Sequence, residues 1–353
     1  MNKLVRSYTL PLPWMNVNVM ECGPESGIPI IFIHGYLATS LFHRRIIQKM
    51  PPRYRCIAYD LRCHGHSSAV PIDATQGLKN FSDDLHGVIE ALNIKKTHIM
   101  GWCRGGNIAM QYAIDHSDKI LSLILESPGS PYGLFGTEDE LGTPTFPDYA
   151  GSGVTSIALY MKSSIEKGIS DKNAYSHLLG CLRKTWYTRG KQMTEELERE
   201  YVSEFFLSKT GDDFLPGNYQ TSINWPGWRP GNKGYFNACS AKYHNLSRII
   251  HTYPKPPILW LRGDKDTYIS DCSTSDPAVL GMLGKIKGYP GKELYRPQPM
   301  LRQIRRVLDL YSENGGSYQE IVIKDCGHAP QIEREEEFLI FLWRYLEYNP
   351  RWK

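Results

Sequence analysis

Four short runs in the first third of the chain are apolar almost without interruption: Ile28–Gly35 (IPIIFIHG), Tyr54–Arg62 (YRCIAYDLR), Lys96–Trp102 (KTHIMGW) and Ile120–Pro128 (ILSLILESP). A strand covered on both faces has no polar side to show, so continuous rather than alternating hydrophobicity predicts buried parallel strands. Between the second and third runs, Asn80–Ile94 carries Phe81, Leu85, Val88, Ile89 and Leu92 at helical spacing, which predicts an amphipathic helix. The alternation resumes with Pro256–Asp264 (PPILWLRGD) and Tyr318–His328 (YQEIVIKDCGH). Glu335–Tyr348 reads as a last helix, with acidic residues in its first turn where the helix dipole favours them. Strands alternating with helices predict an α/β fold on a mostly parallel, doubly wound sheet.

From about Gly129 to Asn245 the pattern breaks. No strong buried strand is visible, glycine, proline and aromatic residues are frequent, and helical stretches such as Lys191–Ser208 are polar. The expectation is an insertion that caps the sheet, with residues 1–128 and 246–353 as the core domain and 129–245 as a helical cap.

Composition narrows the field. With 41% hydrophobic and 22% charged residues, the 353-residue chain has the make-up of a soluble globular protein. Its net charge of +4 is too mild to argue for a nucleic-acid or membrane partner. The start (MNKLVRSYTLPLPW) has no apolar core of signal-peptide length, and no run approaches the roughly 18–20 apolar residues of a membrane helix. Eight scattered cysteines without a CxxC pair suggest neither a disulfide framework nor a zinc site. The expected compartment is the cytoplasm.

Between the third strand-like run and a helix-like segment lies Gly101-Trp102-Cys103-Arg104-Gly105-Gly106. Gly-x-Cys-x-Gly between strand and helix is the setting of a nucleophile elbow. So tight a turn strains its central residue and demands small neighbours. The helix that follows aims free N–H groups and its dipole at the central side chain. A cysteine held there is expected to lose its proton more readily than a free thiol. Such a nucleophile needs a base and an orienting acid. The segments after the last two strand-like runs offer Asp264 and Asp266 (LRGDKD) and His328 (DCGHAP).

With these residues the chain resembles the α/β-hydrolase superfamily over nearly its whole length. The resemblance implies a Cys103–His328–Asp266 triad: the family's Gly-x-x-Asp turn falls on Gly263–Asp266 and its Gly-His pair on Gly327–His328, with Asp264 as the alternative acid. FIHGY resembles the loop whose residue after His-Gly lends a backbone N–H to an oxyanion hole, here Tyr36, with the Arg104 N–H as the second donor. YDLRCHGHS is similar to the family's Asp-x-Arg-Gly-x-Gly-x-Ser turn, with Cys63 in place of its first glycine. AMQYAIDHSDKILSLILESPGSPYGLFGT and PKPPILWLRGDKD look like capped members near the proline-iminopeptidase-like branch, where the nucleophile is serine; Cys103 departs from it. Cysteine with histidine and aspartate does occur elsewhere in the superfamily, in dienelactone hydrolases and some biosynthetic thioesterases. Such a triad implies no cofactor.

Other side chains carry weaker expectations. His34 is expected to hold the oxyanion loop by hydrogen bonds. His64 and His66 lack a third ligand at a sensible spacing, so no metal is expected. Arg104 is expected either to meet a substrate carboxylate or to be solvated. Trp102 is expected to wall the acyl pocket or pack in the core. The cap aromatics Tyr132, Phe135, Trp186, Tyr187, Trp225 and Trp228 collectively suggest a cleft for an apolar or aromatic acyl group. Three functional readings follow, in order: hydrolysis of an ester, thioester or lactone; transfer of the acyl group to an amine or hydroxyl; and a non-hydrolytic ligand-binding or lyase-like role. The expected partner is a small-molecule acyl substrate, free or delivered by a carrier protein, and the surfaces leave room for a homodimer.

Overall fold

The computed structural model describes residues 4–185 and 193–348. In chain order the strands are β1 (Arg6–Leu12), β2 (Met15–Cys22), β3 (Ile28–Ile33), β4 (Tyr54–Tyr59), β5 (Thr97–Trp102) and β6 (Ile120–Glu126), then the short strands β7 (Thr210–Gly211), β8 (Leu215–Pro216), β9 (Tyr219–Thr221) and β10 (Trp228–Pro230), and finally β11 (Ile258–Gly263) and β12 (Tyr318–Ile323). Eight of them form one sheet in the order β1-β2-β4-β3-β5-β6-β11-β12; β7 pairs with β8, and β9 with β10, as separate ribbons. From β4 to β12 all neighbours run parallel, while β1 and β2 form an antiparallel hairpin laid against β4.

The four uninterrupted apolar runs are β3 to β6, and both of their faces are covered. Ile31, Ile33, Ile99, Leu123 and Leu125 belong to one core, packed with α2 (Lys79–Ala91), α3 (Arg104–His116) and α9 (Met300–Glu313). Ile30, Phe32, Met100 and Ile124 belong to the other, with α1 (Arg44–Lys49) and α11 (Glu335–Tyr348). Adjacent residues point to opposite faces, so both parities must be apolar. The edges read differently. In β2 the buried Met15, Val17 and Val19 alternate with Asn16 and Asn18, and β12 is half-exposed along most of its length.

The segment between β6 and β11 carries α4 (Ser156–Lys167), α5 (Lys172–Thr185), α6 (Glu195–Phe205), the two ribbons and α7 (Tyr235–Ala238). Thr155 caps α4 through the Ala158 N–H. Thr194 caps α6 through the Leu197 N–H, with Glu195, Glu196 and Glu198 in the first turn. The helix expected over Lys191–Ser208 is thus shorter, and residues 191–192 lie outside the described residues. Ala158, Leu182, Tyr201, Phe205 and Phe236 of this segment join the same apolar core as Ile33 and Leu125. Two further helices are short: α8 (Pro277–Met282) lies between β11 and α9, and α10 (Pro330–Glu333) between β12 and α11.

Topology fixes where a ligand can sit. The chain leaves β3 for β4 on one side and returns to β5 on the other, so β3 and β5 flank the point where strand order reverses, the usual ligand crevice of such sheets. The loops after these two strands hold Tyr36 and Cys103.

One buried ion pair braces this end of the sheet. The Arg62 guanidinium donates twice to the Asp84 carboxylate, at 2.6 Å each, with both side chains under 10% exposed; the Trp14 indole adds a third donor at 2.8 Å. Removing one partner strands a buried charge. Arg62→Ala is therefore expected to cost about 3–5 kcal/mol in denaturant unfolding, whereas Lys79→Ala, which breaks the exposed Lys79–Asp83 pair, should cost well under 1 kcal/mol.

Candidate active site

Cys103 is the N-cap of α3 and sits at φ 54°, ψ −119°, a left-handed conformation that side chains rarely adopt. The close approaches around it explain why glycines surround it. A Cβ on Gly101 would lie 2.2 Å from the Gly105 oxygen, one on Gly105 2.1 Å from the Ile33 oxygen, and one on Gly35 2.9 Å from the Cys103 Cβ. The Cys103 N–H donates to the Glu126 carbonyl at 2.8 Å, tying the bend to the end of β6.

Two loops from the other half of the sheet meet this bend. Nδ1 of His328 lies 2.8 Å from Asp266 Oδ2. Asp266 Oδ1 accepts from the N–H groups of Tyr268 and Ile269, at 2.8 and 2.9 Å, so the carboxylate is held on both oxygens. Gly263 lets the loops press together: a Cβ there would lie 2.1 Å from the Cys326 oxygen. The Trp102 indole donates to the His328 carbonyl at 2.9 Å. Asp264 turns away, accepting weakly from the Cys326 N–H at 3.3 Å. Of the two candidate acids, only Asp266 reaches His328.

The electrostatics favour opposite charges on the sulfur and the imidazole. Burial works to raise the Cys103 thiol, but the His328 imidazole, the Arg104 charge and the Arg104 N–H together hold it below its ordinary value. Burial likewise opposes the imidazolium form of His328, yet Asp266 and Cys103 push that group up to about 10. Cys103 is thereby drawn toward the thiolate and His328 toward the imidazolium, which is favoured up to about pH 10. Nε2 of His328 has no nitrogen or oxygen partner among the described residues, and Cys103 is the group that acts on it from that side.

The remaining expected residues divide. The Tyr36 N–H makes no hydrogen bond among the described residues, and the Arg104 N–H points at the Cys103 sulfur. His34 bridges the Gly35 carbonyl (2.8 Å) and the Leu61 N–H (2.9 Å), pinning the loop. A cavity of about 70 Å³ opens beside Cys103 and His328, far smaller than a drug-sized pocket. Trp102 and Phe135 line it, with Tyr36, Ala158, Met161, Leu182, Phe205 and Tyr268. Two expected contacts fail. Tyr132 packs against Gly142 at the rim of the core, and Trp225 packs on Tyr289 and Tyr295 while its indole donates to the Lys287 carbonyl at 2.9 Å. Both are held by neighbouring loops before they could reach the cavity. Trp186 and Tyr187 lie outside the described residues. Arg104 is not solvated: its side chain is 2% exposed. No group of three or more His, Cys, Asp or Glu side chains suited to a metal occurs among the described residues.

Sequence reasoning missed Glu126, which ends β6 fully buried, accepts from the Gln331 N–H at 2.9 Å and lies within the field of His328 and Cys103. Burial raises its carboxyl well above the usual range. A charged residue ending the apolar run ILSLILE was the available signal. Tyr268, two residues past Asp266, was also missed; its ring packs on His328 edge to face at 5.1 Å.

Residues 28–278 match the family described as alpha/beta hydrolase fold. The chain belongs to that family. Among its relatives, a serine hydrolase-like protein of Danio rerio is 26% identical over 215 residues, spanning 61% of this chain and 58% of the relative. The magnesium-chelatase 30 kDa subunit of Rhodobacter capsulatus is 33% identical over 105 residues, 30% of this chain and 36% of the relative. The chain thus aligns with less than two thirds of these relatives' lengths. Among solved structures, a putative aryl esterase from Burkholderia cenocepacia superposes with a TM-score of 0.61 at 19% identity, covering 97% of this chain and 98% of that one. Carboxylesterase CesB from Bacillus subtilis gives 0.60 at 12% identity, covering 98% and 93%. At such identities the likeness is one of fold. No helix among the described residues is long and apolar enough to cross a membrane.

The ion pair makes a measurable prediction. As pH is lowered, the rate at which iodoacetamide labels Cys103 should fall at a lower pH than for a free thiol, as the thiolate takes up a proton. Asp266→Asn weakens the imidazolium and should shift that fall to higher pH; Asp264→Asn should leave it in place. A free-thiol profile in the unaltered protein would contradict this pairing.

Proposed function

We propose that this protein is an acyl hydrolase that works through a covalent thioester on Cys103, taking esters, thioesters or lactones as substrates. The observation that carries the reading is a cysteine in a strained left-handed bend, with the Asp266-held His328 imidazole beside its sulfur and a cavity in front. The thiolate attacks the carbonyl carbon, forming the C–S bond as the carbonyl electrons move onto oxygen. The N–H groups of Tyr36 and Arg104 receive that oxyanion, each worth roughly 3–4 kcal/mol in comparable sites. Collapse expels the leaving group, which takes the proton from His328. The now neutral His328 then removes a proton from water, whose oxygen attacks the thioester and releases the acid and the thiolate.

Cysteine in place of the serine of the proline-iminopeptidase-like branch bears on the substrate. Thiolate exchanging with a thioester is nearly balanced in energy, whereas thiolate leaves more readily than an unprotonated amine. Thioesters and activated esters therefore suit the site better than amides. The small apolar cavity favours a compact acyl group. Enclosure favours a second reading, transfer of the acyl group to an amine or hydroxyl: Cys103 is 3% exposed, and α4, α5 and α6 wall the cavity with apolar side chains. A cytoplasmic setting, a small-molecule acyl substrate and its delivery by a carrier protein belong to the same proposal.

Intact-mass measurement after mixing with a short-chain p-nitrophenyl ester or N-acetylcysteamine thioester should give one acyl adduct, lost in Cys103→Ala. His328→Ala should slow acylation by roughly 10³-fold or more. Analysis of products with and without added amine separates hydrolysis from transfer. Turnover without an adduct, undiminished in Cys103→Ala, would sink the reading.

A further inference from the structure

Arg104 follows Cys103 directly, yet its side chain is buried in the protein rather than directed at solvent. The guanidinium makes a long hydrogen bond from Nη1 to Asn107 Oδ1 at 3.4 Å and lies against the neutral Tyr268 hydroxyl, while its Nη2 is buried without a partner. No carboxylate lies within ion-pair distance of it among the described residues. Its position is built in. Asn107 is clamped to Gly129 in both directions, accepting from the Gly129 N–H at 3.0 Å and donating to its carbonyl at 2.9 Å. A Cβ on Gly129 would lie 2.2 Å from Nη1. Bare backbone makes the space for this cation.

A buried guanidinium without an anion is costly, several kcal/mol after relaxation, and it cannot escape by losing its proton. The titratable groups facing it are Cys239 and Tyr235 from the α7 region, Tyr268 from the acid loop, His244, and Cys103 itself. Burial raises Cys239 to about 11, raises both tyrosines and lowers His244 to about 3, so all four are uncharged at neutral pH. The groups facing Cys103 from elsewhere are His328 and Glu126, and burial favours the protonated form of Glu126. Of the neighbours of Arg104 that become anions by losing a proton, Cys239, Tyr235 and Tyr268 are raised and Cys103 alone is held below its ordinary value.

We propose that the Arg104 guanidinium is the fixed counter-charge of the Cys103 thiolate, a positioning residue that acts through the buried field and not through substrate contact. Asp266, His328, Cys103 and Arg104 then form an alternating row, minus, plus, minus, plus, with no net charge. The inference rests on Cys103 as the nucleophile, and it bears on why the bend carries sulfur. A serine there rests neutral and leaves Arg104 unmatched. His328 can answer the loss of the thiolate by releasing its proton; a guanidinium cannot.

The test reads the thiolate without any substrate. The pH profile of iodoacetamide labelling at Cys103, followed by intact mass, is compared in the unaltered protein, Arg104→Met, Arg104→Gln and Arg104→Lys. Both neutral variants should move the midpoint up by about one unit or more, an opposite charge at close range being worth about 1–3 units. Labelling in the acid range then slows about tenfold per unit, and Arg104→Lys recovers most of the shift. Arg104→Gln keeps an amide for Asn107 and guards against misfolding of the methionine variant. A second measurement needs no Arg104 variant to fold: Cys103→Ser, nearly isosteric, should lower the thermal midpoint at pH 7 by several degrees. Folded neutral variants that label with the unaltered profile, or a Cys103→Ser protein as stable as the original, would overturn the proposal. Absence of an acyl adduct with these shifts intact would instead count against the catalytic reading alone.

Discussion

A Cβ on Gly105 would lie 2.1 Å from the Ile33 carbonyl oxygen and 2.8 Å from that of His34, closer than any side chain could sit. That approach sets the geometry of everything at the cleft. It seats the first turn of α3 against the end of β3, which forces Cys103 into a left-handed bend at the mouth of β5. Gly35 in turn lets the Tyr36 loop press against Cys103, a Cβ there lying 2.9 Å from the Cys103 Cβ. Two glycines and a strained cysteine thus substitute for what would otherwise require several positioning side chains. The cost of the bend, about 1–3 kcal/mol for such a conformation, is met by the core beneath it.

Charge organises the second half of the site. The Asp266 carboxylate has its two oxygens committed, one to backbone N–H groups and one to His328. That leaves the imidazole a single open nitrogen, turned to the sulfur. With water excluded, each interaction in this row is stronger than it would be at the surface. The fold thus favours the charged forms of the imidazole and the thiol over what burial alone would leave.

Much of this was legible in the sequence, and the reasons for the exceptions are physical. Continuous apolar runs identified β3 to β6 because both faces of those strands are covered. The β1–β2 hairpin escaped notice although Met15, Val17 and Val19 alternate with Asn16 and Asn18; a one-faced edge pair gives a weaker signal than a central strand. Cys103, Asp266 and His328 could be located because each follows a strand in a short turn with glycines that the backbone requires. Cys63 shows the same logic from the other side. It occupies φ 67°, the left-handed setting for which the resembling turn uses glycine, and its sulfur lies 3.1 Å from the Val70 carbonyl. The cavity wall was legible only in part. Tyr132 and Trp225 share their residue type with true lining residues such as Phe135, and only packing against Gly142 or Tyr295 decides which ring turns inward. The burial of Arg104 was equally hidden, since the space it fills comes from Gly129, beyond β6, which Asn107 of the same helix clamps in place.

Among the described residues, the segment between β6 and β11 shares its apolar core with the sheet. Its α4, α5 and α6 complete the apolar layer that begins on the sheet, with Phe42 of the core stacked on Tyr201 and Phe205 of α6. A roof joined to its building in this way cannot be exchanged wholesale for that of a relative. Diversification of what the cleft accepts is thereby channelled into single replacements along the inner sides of those helices, at positions such as Ala158, Met161 and Leu182, where volume can change without unseating the sheet.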